Sequence, residues 1–222
     1  SRFGDPGFAY GVALARVAGR VMLRMANADV LPLRFGDFAD AVAQYVGEVH
    51  RLADAMREST EMQHRMFGEN LFKLAADPTK TQLPPERDAP VPVLNLAPLD
   101  NALLRLKKSA KAGDAALARA TKADASQDDA RRVELDAVLR GLEPALLHAP
   151  GLPGREWFRH MIYAPGLKTG YGVKTLPGVR EAIEDRRWPE AERYAVVIGD
   201  VLNAYCDRVD RVAAILTEPA GT

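Results

Sequence analysis

The chain has 222 residues, 30 basic and 30 acidic side chains and a formal net charge of zero. Its 47% hydrophobic and 27% charged residues are the composition of a folded chain rather than a disordered one, and the length suffices for one large domain or two small ones with a substantial core. Balanced charge argues against sequence-independent nucleic-acid binding, which phosphate neutralisation drives. No apolar run reaches the roughly 20 residues of a membrane span. The single cysteine, Cys206, excludes an internal disulfide and a multi-cysteine zinc site. The chain starts at Ser1 without a signal-peptide pattern, so trimming upstream, of the mature protein or of a larger parent, is the expectation.

Asp5-Pro6 predicts the opening of a helix that runs to about Asn27, with Pro6 in the first turn, where its missing N–H costs nothing. Tyr10, Leu14, Val17 and Val21 share one face, and Gly11, Ala15 and Gly19 form a small ridge. Arg16, Arg20 and Arg24 make a third stripe. Like charges at that spacing repel, unless acidic groups on another helix or subunit answer them; a solvated face is the plainer reading. Val30-Leu31-Pro32-Leu33 breaks this helix, and Asp37 is the expected N-cap of the next. There Phe38, Val42, Tyr45, Val49, Leu52 and Met56 recur at steps of four and three, an amphipathic seam that resumes through Met66, Leu71 and Leu74.

Residues 78–92 hold Pro78, Pro84, Pro85, Pro90 and Pro92 and read as a loop or extended linker. Helical spacing returns with Leu99, Leu103, Leu106, Ala110 and Leu117, weakened locally by Gly113. Ser126 with Asp129 resembles a capping box. Leu135, Leu139, Leu142 and Leu146 then mark a helix ended by the Pro/Gly cluster at 150–154. Periodicity stops from Arg155 to Gly178, and a short helix is predicted over Val179 to Asp185. Trp188-Pro189 starts the last long helix, with the seam Tyr194, Ile198, Val201, Tyr205, Val209, Val212 and Leu216. The expected fold is all-α, a bundle of about four to six helices with a long irregular glycine-rich loop.

No HExxH, P-loop, GxSxG or paired Cys-x-x-Cys motif occurs. His50, His64, His148 and His160 are never four apart, so no single-helix metal pair exists, and they read as surface or structural histidines. Cys206 reads as a buried inert thiol. The one segment with chemistry is His160 to Lys174, where Tyr171 stands between Lys168 and Lys174 in a glycine-rich loop. Such a loop can offer O–H and N⁺–H donors to a carboxylate; alternatively Tyr171 packs on the bundle and the lysines face solvent. Two helices also carry apolar surface beyond one seam, the first with Leu14, Val17, Val21, Met22 and Met25, the last with Val196, Val197 and Ile215. A two-fold pairing would bury both, with Leu14, Val17, Val21, Arg16, Arg20, Val197, Val201 and Tyr205 at the interface. One large bundle burying these faces internally is the alternative.

Three blocks of sequence carry a resemblance. They are Asp5-Pro6-Gly7-Phe8 through Ala26-Asn27-Ala28-Asp29-Val30-Leu31-Pro32-Leu33; Gly151-Leu152-Pro153 followed by Arg159-His160-Met161-Ile162-Tyr163-Ala164-Pro165; and Tyr171 followed by Leu176-Pro177-Gly178-Val179. In that order they resemble the C-terminal helical domain of the transferrin receptor and glutamate carboxypeptidase II family, whose peptidase branch is family M28. Against its mammalian members, 78–92 looks like an insertion. The resemblance implies a single transferrin receptor-like dimerisation domain over 1–222, paired with a second copy and with a peptidase domain of the same parent chain. That earlier domain would carry two zinc ions and the catalytic carboxylate; neither a catalytic residue nor a cofactor is expected in this chain. The resemblance further implies that the glycine-rich loop closes the pocket over a peptide substrate with a free C-terminus. A lysine–tyrosine pair binds a C-terminal glutamate in such peptidases. Tyr171 falls on the tyrosine position and Gly170 on the lysine position, leaving Lys168 or Lys174 to substitute. Family habit implies a periplasmic or extracellular location. A receptor-type scaffold in a catalytically inactive homologue is the second reading, and a free-standing helical interaction protein the third.

Overall fold

The computed structural model describes residues 4–28, 30–77, 79–80, 86–122 and 129–217. Among them are seven α-helices and one two-stranded sheet: α1 (Ala9–Ala26), α2 (Phe35–Gly68), α3 (Leu71–Ala75), α4 (Ala97–Lys122), α5 (Asp129–Arg140), β1 (Tyr163–Pro165), β2 (Val173–Thr175), α6 (Pro177–Glu184) and α7 (Trp188–Thr217). The all-α expectation holds. No helix among the described residues is long and apolar enough to cross a membrane.

The centre of the bundle is α7. Ala191, Tyr194, Ala195, Ile198, Leu202, Cys206, Val209, Val212 and Ile215 are buried along it, an apolar stripe wider than one seam. It packs most extensively on α4 and also on α5, α6 and the short 3₁₀ turn Pro144–Leu146. The α4 face opposite it supplies Leu99, Ala102, Leu106 and Ala110, and α2 closes the core with Phe35, Ala39, Val42, Val46, Val49 and Ala53. Gly113, which weakens the helical pattern in sequence, is a point of close approach between these helices. A Cβ there would lie 2.7 Å from the Phe35 ring and 2.8 Å from Val209, so the missing side chain is what lets α4 approach both neighbours.

The start of α2 differs from the sequence expectation. Asp37 is not its cap: the helix begins at Phe35, and Asp37 lies in its first turn, 3.1 Å from Arg34 in an exposed pair. The cap comes from α4, where the Asp114 carboxylate accepts the Phe35 and Gly36 N–H groups at 2.8 and 2.9 Å. Those are two of the four donors a helix start leaves unpaired. Similarly, α5 stops at Arg140 instead of running on to Leu146. Pro144 cannot continue the ladder, yet Leu142 and Leu146 still reach the core from the turn that follows. Ser126, and within the proline-rich stretch residues 78 and 81–85, lie outside the described residues.

Residues 86–96 run without regular structure and are strapped to the bundle. Gln63 Oε1 accepts the Asp88 N–H at 2.9 Å, and His64 Nε2 lies 2.7 Å from the Asp88 carbonyl. Arg186 donates to the Ala89 carbonyl, the Asp88 carboxylate and the buried Thr60 hydroxyl, each at 2.9–3.0 Å. By contrast α1 buries none of its residues.

Candidate functional site

The glycine-rich segment is a braced hairpin. Before β1, Met161 and Ile162 are buried; after β2, Leu176 is buried too. The Leu176 N–H donates to the Ile162 carbonyl at 2.7 Å, which closes the stem against the core. Antiparallel pairing sets Tyr163 opposite Thr175, Ala164 opposite Lys174 and Pro165 opposite Val173. The strands are unforeseen in the sequence, because three residues are too few for alternation to show. Across the loop, Gly166 N–H donates to the Gly172 carbonyl at 2.9 Å, and Gly172 N–H to the Thr169 carbonyl at 3.3 Å. Gly170 turns the chain with φ +58°, a left-handed conformation that favours glycine.

Three side-chain bridges tie this loop to α6. Glu181 is the deepest: one oxygen accepts the Leu167 N–H at 2.8 Å, and the other accepts Arg155 Nη2 at 2.7 Å. The Arg155 and Glu181 side chains are only 4% and 13% exposed, so the pair is desolvated and each charge depends on the other. Lys168 Nζ lies 2.5 Å from Asp185 Oδ1, and Lys174 Nζ lies 2.6 Å from Glu184 Oε1. The hydrogen bond from Lys168, with Arg187 nearby, holds the Asp185 carboxyl below the usual carboxylate range. Tyr171 stands at the tip, fully exposed. The plainer reading of this loop fails for Tyr171, which does not pack on the bundle, and for Lys174, which is mostly covered; Lys168 faces solvent as that reading has it, while pairing with Asp185.

At the stem, His160 Nδ1 accepts the Ile162 and Tyr163 N–H groups at 3.3 Å each, which places the proton of the neutral ring on Nε2. That nitrogen lies 3.1 Å from Glu143 Oε1, close but off the hydrogen-bonding direction. The Tyr163 hydroxyl donates to the same oxygen at 3.1 Å, and the two rings stack at 4.1 Å. Burial pushes the His160 imidazole below its usual value, against the pull of Glu143. Elsewhere His50 pairs with Asp100 at 2.9 Å. Burial also raises the Cys206 thiol, and so disfavours the reactive thiolate.

The interface residues expected from sequence divide. On α1, Leu14, Val17 and Val21 are 71%, 61% and 54% exposed, and Arg16 and Arg20 are exposed beside them. On α7, Val201 and Tyr205 belong to the buried core and Val197 packs partly buried against it. Within one chain the Tyr205 ring meets Phe38 of α2 at 4.8 Å, and on this part of α7 Val196 is exposed while these three are not. No group of three or more His, Cys, Asp or Glu side chains among the described residues could hold a metal ion. Sequence reasoning missed Arg155, Glu181 and Asp114, whose partners are brought to them only by the tertiary fold.

The sequence model of one family, described as the transferrin receptor-like dimerisation domain, matches residues 94–210. The chain is also similar to a probable glutamate carboxypeptidase of Arthroderma benhamiae, with 25% identity over 193 residues, covering 86% of this chain and 22% of that protein. It matches the probable glutamate carboxypeptidase LAMP1 of Arabidopsis thaliana at 25% identity over 84% of the chain and 21% of that protein. Aminopeptidase NAALADL1 of Rattus norvegicus is 24% identical over 86% of the chain and 22% of its own length. The chain spans about a fifth of the length of these relatives. With more than half of its residues matched, from the start of α4 through the hairpin and into α7, the chain belongs to the transferrin receptor-like dimerisation domain family.

Proposed function

We propose that this chain is the homodimerisation and substrate-pocket-closing domain of a glutamate carboxypeptidase-like zinc exopeptidase. It does not cleave peptides alone; a peptidase domain of the same parent holds the two zinc ions and the catalytic carboxylate. The observation that carries the pocket-closing role is Tyr171, fully exposed on a loop fixed by Glu181, Asp185 and Glu184. The backbone that carries this donor is braced on folding, so binding has only the phenol side chain left to order. In the intact protein the Tyr171 O–H donates to the terminal carboxylate of a peptide substrate, a charge-assisted hydrogen bond.

The pairing role is supported by α1, which presents Tyr10, Leu14, Val17, Val21 and Met22 to solvent with Arg16, Arg20 and Arg24 among them and no acidic residue. An apolar helix of this kind is a surface to be covered. The decisive experiment is Tyr171→Phe in the full-length parent, assayed on peptides with free C-termini. Loss of such a bond costs about 1.5–3 kcal/mol, roughly a ten- to hundredfold fall in kcat/KM. An unchanged kcat/KM would remove the pocket-closing role.

A further inference from the structure

The loop's free chemistry is narrower than its composition. Between residues 163 and 187 the basic side chains are Lys168, Lys174, Arg180, Arg186 and Arg187. All are ion-paired. Lys168 meets Asp185 at 2.5 Å, Lys174 meets Glu184 at 2.6 Å, Arg180 meets Glu48 at 2.6 Å and Arg186 meets Asp88 at 3.0 Å. Arg187 meets both Asp185, at 3.3 Å, and Glu190. What remains at the tip is the Tyr171 hydroxyl, a glycine at 170 whose missing Cβ would touch nothing within 4 Å, and the exposed Leu167 and Val173.

We propose that the loop receives a substrate whose C-terminal side chain is neutral and apolar, and that the Asp185 and Glu184 carboxylates set this preference by holding Lys168 and Lys174. The inference rests on the reading that the loop closes the substrate pocket. A second carboxylate on the ligand gains little by drawing Lys168 from Asp185, because one ion pair replaces another. It would also come to rest near Asp185, a like charge. Lys174 is harder to recruit, since its side chain is only 20% exposed. An apolar side chain meets no such conflict and can cover Leu167 and Val173, removing their apolar surface from water. The Tyr171 hydroxyl, which no carboxylate of the loop or α6 engages, is then used once, on the α-carboxylate.

The test compares N-acetyl-Ala-Leu with N-acetyl-Ala-Glu as substrates of the full-length parent. The expected result is a kcat/KM at least tenfold higher for the leucine peptide. Asp185→Asn and Glu184→Gln, singly and combined, free the lysines without changing side-chain size and narrow that ratio at least fivefold. Preference for the glutamate peptide in the unaltered enzyme, or a ratio unmoved in the double variant, overturns the inference. Tyr171→Phe separates the two levels. If it slows both peptides while glutamate is preferred, only this specificity falls. If it slows neither, the pocket-closing role falls and this inference with it.

Discussion

Asp114 lies 79 residues from Phe35 in sequence yet starts the helix that Phe35 opens. Replacing it with alanine leaves two backbone donors of α2 without their acceptor. Loss of a cap of this kind costs about 1–2 kcal/mol, read as a lower urea midpoint with unchanged slope. His160 gives a pH dependence whose sign follows from its burial. The folded chain takes up the imidazole proton less readily than the unfolded one, which protonates as pH falls through about 6.5. The stability this confers is complete above that value and is lost as pH falls through the folded group's lower one. Thermal melts at pH 7.5 and 5.0 therefore show a smaller drop for His160→Gln than for the unaltered chain. At this scale the sequence is least legible: Asp37 has the local features of a cap, and only the packing of α4 on α2 puts Asp114 in that role.

Whole elements are far more legible. The seams of α2, α4 and α7 are readable because burial recurs with the helical period over many turns, and Val42, Val49, Leu99, Leu106, Ile198 and Val209 all lie in the core. The hairpin is not, because its strands are three residues each and its stem is set by Met161, Ile162 and Leu176 burying against other elements. Leu176 takes a left-handed φ of +47°, which no local rule for leucine predicts. Within the hairpin, Glu181 carries the tie between loop, α6 and Arg155. Glu181→Ala leaves Arg155 buried without its counter-charge, a loss of about 3–5 kcal/mol. Chemical denaturation checks that cost, and faster hydrogen exchange at the Leu167 amide checks that the loop is released.

On the scale of the molecule the contrast is between α7, covered on several sides, and α1, which buries nothing. If α1 pairs copies of the parent as proposed, Leu14→Asp combined with Val17→Asp shifts a dimer toward monomer in size-exclusion chromatography with light scattering. The isolated domain keeps its helical circular dichroism and melting temperature, because neither side chain is in the core. A dimer that persists at micromolar concentration rejects this role for α1. For α1 the sequence left internal burial and pairing as alternatives, and the structure shows that the described bundle does not bury it.

One consequence of the way the hairpin is anchored concerns movement. Its stem is rooted in the same interior that holds α7, and its crown is lashed to α6 by three carboxylates. The backbone beneath the Tyr171 phenol is an anvil rather than a hinge. If the loop closes a substrate pocket as proposed, the closing movement lies outside the braced backbone of the hairpin.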